Sequence, residues 1–169
     1  MALAMGGFVV GVVERDYETA LEALDRSLAL SPSSALAFGF SAVIRAWLGD
    51  YVTAIEHAGN GIRLSPYDPM IYLPYVGLAY AYFFAGNFVK ATSAASRAST
   101  ANPRFSVACY LHTAALLRGG RRDEAKARAK DLLELQPSFT VSGLVSGKIT
   151  SPERMELLAV ALREVGLPE

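Results

Sequence analysis

Four stretches of the chain place the same residue types in the same order: DYETALEALDRSLALSP (Asp16 to Pro32), DYVTAIEHAGNGIRLSP (Asp50 to Pro66), NFVKATSAASRASTANP (Asn87 to Pro103) and RRDEAKARAKDLLELQP (Arg121 to Pro137). Their closing prolines stand 34, 37 and 34 residues apart. Such a period marks stacked supersecondary units, each burying its apolar face only against its neighbours. Within the unit every recurrent position has a mechanical reason. Gly49, Gly86 and Gly120 fall where a turn between two helices needs positive φ, and Tyr17, Tyr51 and Phe88 open the helix that follows. Ala20, Ala54, Ala91 and Ala125 let two helices approach closely, and the prolines stop the second helix. The spacing predicts an all-α, right-handed solenoid of about four helix-turn-helix repeats.

The unit resembles the tetratricopeptide repeat, on the turn glycines, the aromatics after them, the alanines and the prolines. The corresponding divisions are 1–34, 35–68, 69–105 and 106–137, followed by a connector and capping helix over 138–169. The tryptophan and leucine-glycine pair usual in the first helix of that repeat are missing. Arg45 stands where that helix usually carries an aromatic, and Arg122 where the second helix does, which predicts a more solvated fourth turn. Three extra residues before the third unit fall in SPYDPM, where Asp68 can cap and Pro69 can start a helix.

Pro69 to Val89 runs 21 residues without a charge, about the length of a membrane span. In repeat register Tyr72 to Phe84 is instead a first helix, ended by Ala85-Gly86-Asn87, and its tyrosines are spread along it rather than gathered at its ends. A core helix of a solenoid is the expectation, with no membrane span. Near the C-terminus Ser151 caps a final helix opened by Pro152 and Glu153. Met155, Leu158, Ala159 and Leu162 share its face, and Gly166 ends it. It would cover the open face of the last repeat. Met1 to Val13 supplies only a first helix, with nothing upstream to cover Phe8, Val9, Val12 and Val13; this predicts a piece of a longer polypeptide.

Sixteen basic and sixteen acidic side chains cancel, which argues against a nucleic-acid partner or an anionic-membrane surface. Cys109 is the only cysteine and has no zinc-spaced companions, so a reducing, cytoplasmic setting is expected, without metal or cofactor. His57 and His112 lie in different repeats, and His112 at i+3 from Cys109 is a weak pairing for a nucleophile. The glycine pairs at Gly6 and Gly119 lack the surroundings of a phosphate loop. No catalytic residue is expected.

Helical spacing along the first helices assigns an inward row: Leu36, Gly39, Val43 and Ala46; Leu73, Val76, Tyr80 and Phe83; Val107, Tyr110, Ala114 and Leu117. None is charged, whereas members of the family that hold a peptide's terminal carboxylate present Lys, Arg and Asn there. With 52% hydrophobic and 19% charged residues, the chain is more apolar than ordinary domains. Such a groove needs a filler. Three are available: a second copy in a homodimer, the chain's own segment from Phe139 onward, or an apolar helix or peptide of another protein. A small-ligand or enzymatic site using Tyr75, Tyr80, Tyr82, Tyr110 and His112 is the alternative from another class. Ala46–Ala58, Leu64–Phe88 and Phe139–Glu169 resemble the C-terminal tetratricopeptide region of bacterial multidomain regulators, which follows a class III adenylate/guanylate cyclase or winged-helix domain. That resemblance implies a protein-interaction and self-association module of a signalling protein.

Overall fold

The computed structural model describes all 169 residues, and the order of elements follows the repeat. Four antiparallel helix pairs stack in sequence: α1 (Ala2–Val9) with α2 (Tyr17–Leu30), α3 (Ala35–Leu48) with α4 (Tyr51–Leu64), α5 (Tyr72–Phe84) with α6 (Phe88–Ala101), and α7 (Ser106–Arg118) with α8 (Arg122–Leu135). A short helix α9 (Val141–Ser146) and a final helix α10 (Pro152–Glu164) complete the chain. There is no β-strand, and no helix is long and apolar enough to cross a membrane.

Local chemistry sets the boundaries. The residue before the second helix of each pair is Asp16, Asp50, Asn87 or Arg121. The first three accept a hydrogen bond from the backbone N–H three residues on, at 3.0, 3.2 and 3.2 Å; Arg121 has no oxygen with which to do so. Gly49, Gly86 and Gly120 turn the chain at φ of 92°, 76° and 81°. The four repeat alanines are fully buried between the helices of their pairs. The inner helices α3 and α5 come closest at Gly77, where an added Cβ would stand 2.8 Å from the Cβ of Ala42 and 3.0 Å from its carbonyl carbon. Two departures from the sequence reading occur. Pro69 does not start a helix: Asp68 Oδ1 takes the N–H of Met70 at 2.7 Å, its carbonyl takes that of Ile71 at 2.9 Å, and the resulting turns delay α5 to Tyr72. The first inner helix does not end regularly either, because α1 runs on through a π-helical turn over Val10–Glu14.

The last 32 residues, 138–169, do more than cap the fourth repeat. Phe139 packs on Tyr110 of α7, with ring centroids 6.0 Å apart. The chain then crosses the inner face to the other end of the stack. There Tyr17 donates a hydrogen bond to the carbonyl of Ile149 at 2.8 Å, and the Thr150 hydroxyl donates one to the carbonyl of Trp47. Helix α10, capped by Ser151 as its sequence predicts, returns along α7 and ends with Glu164 paired to Arg122 of the last repeat. The Val141 N–H closes the excursion on the Pro168 carbonyl at 2.8 Å.

Candidate functional site

Between the inner helices and this returning strap lies a cavity of about 600 Å³, lined by 20 residues of which 17 are hydrophobic. Its floor is Phe40, Val43 and Trp47 of α3, Leu73, Val76 and Tyr80 of α5, and Val107 and Tyr110 of α7. Met5, Phe8, Val9 and Val12 form the wall at the α1 end, with Phe8 stacked on Phe40 at 4.1 Å. Tyr72 and Phe105, 4.9 Å apart, border another side, and Leu144 and Ile149 of the strap lean over the space. All four repeats and the C-terminal segment therefore contribute.

Polar groups cluster at one end. The hydroxyls of Tyr80 and Tyr110 bond to each other across the inner helices, both fully buried, and burial pushes each phenol well above its ordinary pKa. Trp47 meets the Tyr80 ring edge-on at 5.9 Å. Its indole N–H lies near enough to the Tyr80 hydroxyl to favour the phenolate, yet it completes no hydrogen bond. Tyr17 meets the other edge of Trp47 at 6.1 Å; its phenol is raised by burial, against the opposing pull of Arg15 beside it. Arg15 is the one charged residue on the cavity wall. It donates to the Val12 carbonyl and appears in none of the chain's ion pairs. Its backbone sits at φ 60°, the position held by glycine in the three later turns.

Six of the twelve residues expected along the groove meet in this cavity: Val43, Leu73, Val76, Tyr80, Val107 and Tyr110. The other six do not; Ala46 is buried in the core. Leu36 and Gly39 line a separate crevice with Leu73 and Pro74. Phe83 turns toward α6, its ring 5.6 Å from Phe88, and Ala114 and Leu117 are buried in the common core on the helix that α10 covers. The chain's own strap lies over part of the inward row, through Gly143, Leu144, Gly147 and Ile149; helical spacing sees one helix at a time and not what folds back over it. Of the expected polar handles, Tyr80 and Tyr110 face the cavity. Tyr75 lies under Arg97, Tyr82 under Lys90, and His112 lines crevices between α6 and α8 on the far side of α7. The sequence reading missed Trp47 and Arg15. The signal for Arg15 was present, since it replaces glycine at a turn.

Two further polar clusters serve packing. Arg45 makes a two-pronged pair with Asp25 at 2.7 and 2.8 Å and reaches Asp50 and Ser41, both at 3.1 Å, while Ser41 contacts His57 Nδ1 at 2.9 Å. Burial, and then Arg45, hold His57 below its ordinary pKa, so the cluster is a neutral imidazole on a buried hydroxyl joining three helices. His112 is lowered to about 4 by burial and by Arg128 and Arg121. Cys109 is buried, its thiol raised by burial and bonded weakly to the Arg128 carbonyl at 3.5 Å. No group of three or more His, Cys, Asp or Glu side chains stands together as a metal site would require.

No protein-family model matches the chain, and no curated protein matches it. Solved structures do. A thermophilic tetratricopeptide-repeat protein of Thermus thermophilus, TTC0263, superposes with a TM-score of 0.68 at 21% identity, over 96% of this chain and 89% of that one. The fold is a tetratricopeptide-repeat solenoid. YrrB, described as a tetratricopeptide-repeat protein with an unusual peptide-binding site, gives 0.61 at 16% identity, over 97% and 84% of the two chains. The first tetratricopeptide domain of Spaghetti (RPAP3), bound to an HSP90 peptide, gives 0.59 at 24% identity, over 78% and 89%.

Proposed function

We propose that the chain is a protein-interaction module rather than a catalyst, and that its partner surface is the outer face of the first helix. The supporting observation is exposure. From Ala2 to Val13 the chain carries no charge, and Leu3 and Val13, which stand outside the cavity lining, are 37% and 71% exposed, although each is a core-type residue. The inner face, by contrast, is partly covered by the strap residues Leu144 and Ile149. The partner is taken to be a second copy, since an exposed apolar helix face can pair with its own copy about a two-fold axis and two-fold dimers are the commonest assembly. The resemblance of the repeats and of Phe139–Glu169 to C-terminal regions of bacterial regulators supports a place as the self-associating module of a cytoplasmic signalling protein, such as a nucleotide cyclase. Peptide binding by structural neighbours supports protein partners in general.

Light scattering on a size-exclusion column tests this. The expected mass is twice the 18.1 kDa of one chain. The double substitution Leu3→Glu, Val13→Glu should return the single-chain mass while circular dichroism still shows the folded helical spectrum. A single-chain mass for the unaltered protein at every concentration would refute self-association.

A further inference from the structure

We propose that the cavity beneath the strap binds a long-chain monocarboxylic acid, with the alkyl chain along the apolar floor and the carboxylate at the Arg15 and Trp47 end. Four observations converge on that class.

The size is suitable, since cavities of this volume hold small amphipathic ligands. The chemistry of the walls narrows the choice. Beyond the polar end the lining offers side chains with almost no hydrogen-bonding groups. A peptide laid there would bury an amide donor and acceptor at every residue without partners, whereas an unbranched alkyl chain asks for none. The polar end then selects the head group. Its only charge is the Arg15 guanidinium, which has no carboxylate partner in the chain. An acceptor bearing negative charge answers it, while an amine would meet repulsion from Arg15. Finally, the guanidinium is set there at a backbone cost. Arg15 holds a left-handed conformation after a π-helical turn, at a position where the later turns use glycine. Strain of that kind persists where the surroundings or a function require it.

Trp47 is the sole tryptophan, so the site carries its own reporter. Palmitate and dodecanoate, titrated below their micellar concentrations into the full chain, should shift the tryptophan emission saturably with one molecule bound per chain. Hexadecanol and methyl palmitate, which share the chain but lack the charge, should bind roughly 10- to 100-fold more weakly. Arg15→Gln should weaken palmitate to the level of the alcohol while leaving the alcohol itself unchanged, and Arg15→Lys should retain most of the affinity. Circular dichroism melting of both variants reports whether they fold. The Leu3→Glu, Val13→Glu chain should bind palmitate as the unaltered chain does, which separates this site from self-association. Equal binding of acid and alcohol, palmitate affinity indifferent to Arg15→Gln in the folded variant, or no saturable response to any of these compounds would overturn the proposal.

Discussion

Tyr80 and Tyr110 show what one pair of atoms contributes to the interior. Each hydroxyl is fully buried and has the other as its partner, so removing one leaves the other without a hydrogen bond in a low-dielectric site. Tyr80→Phe or Tyr110→Phe alone should therefore cost about 1–3 kcal/mol. The double variant should cost less than the sum of the two, and urea denaturation of all four proteins of the cycle measures the difference; strict additivity would show that the hydroxyls do not depend on each other. Much at this scale was legible beforehand. The cap at Ser151 and the positive φ of the turn glycines follow from local chemistry that a sequence displays directly. The placing of Trp47 against Tyr17 and Tyr80 was not, since it depends on how three helices meet.

Among elements, the closest approach decides the stacking. Gly77 puts the backbone of α5 against Ala42 of α3, and Pro74 lies over Gly39 in the same interface, where an added Cβ would stand 3.1 Å from its Cδ. Gly59 in α4 is its opposite, helical with nothing within 4 Å of an added Cβ. Gly77→Val should destabilise by about 1–3 kcal/mol through overpacking, whereas Gly59→Ala should stabilise by roughly 0.5–1 kcal/mol through reduced chain entropy. Thermal melts of the two variants check the contrast, and equal effects would refute it. Helix existence and order could be read from periodicity; this contrast between two helical glycines could not, because each depends on a neighbour distant in the chain. The same limit explains the inward row. Counting by i, i+3 and i+7 finds the face of α7 but not the helix α10 that covers part of it.

Over the whole molecule, the strap changes what kind of stack this is. Repeats that touch only their neighbours unfold with limited cooperativity from their ends. Here Tyr17 and Ile149 are joined across 132 positions of sequence, and Arg122 is paired with Glu164, so the first and last repeats share one segment. Amides of α2 and α8 should accordingly exchange with solvent through the same global opening. In the variant Tyr17→Phe, Thr150→Val, hydrogen exchange of α1 and α2 should accelerate while α7 and α8 remain protected. Uniform acceleration along the chain would show that these two bonds do not hold the ends together.

The joined ends also have a mechanical meaning. An unstrapped superhelix can lengthen or tighten like a spring as its repeats tilt, and its inner radius changes with it. Here the arc and its chord belong to one polypeptide, so the curvature is fixed by a tie anchored to the arc at the Tyr17 hydroxyl and the Trp47 carbonyl. The space inside keeps its dimensions as long as the tie holds.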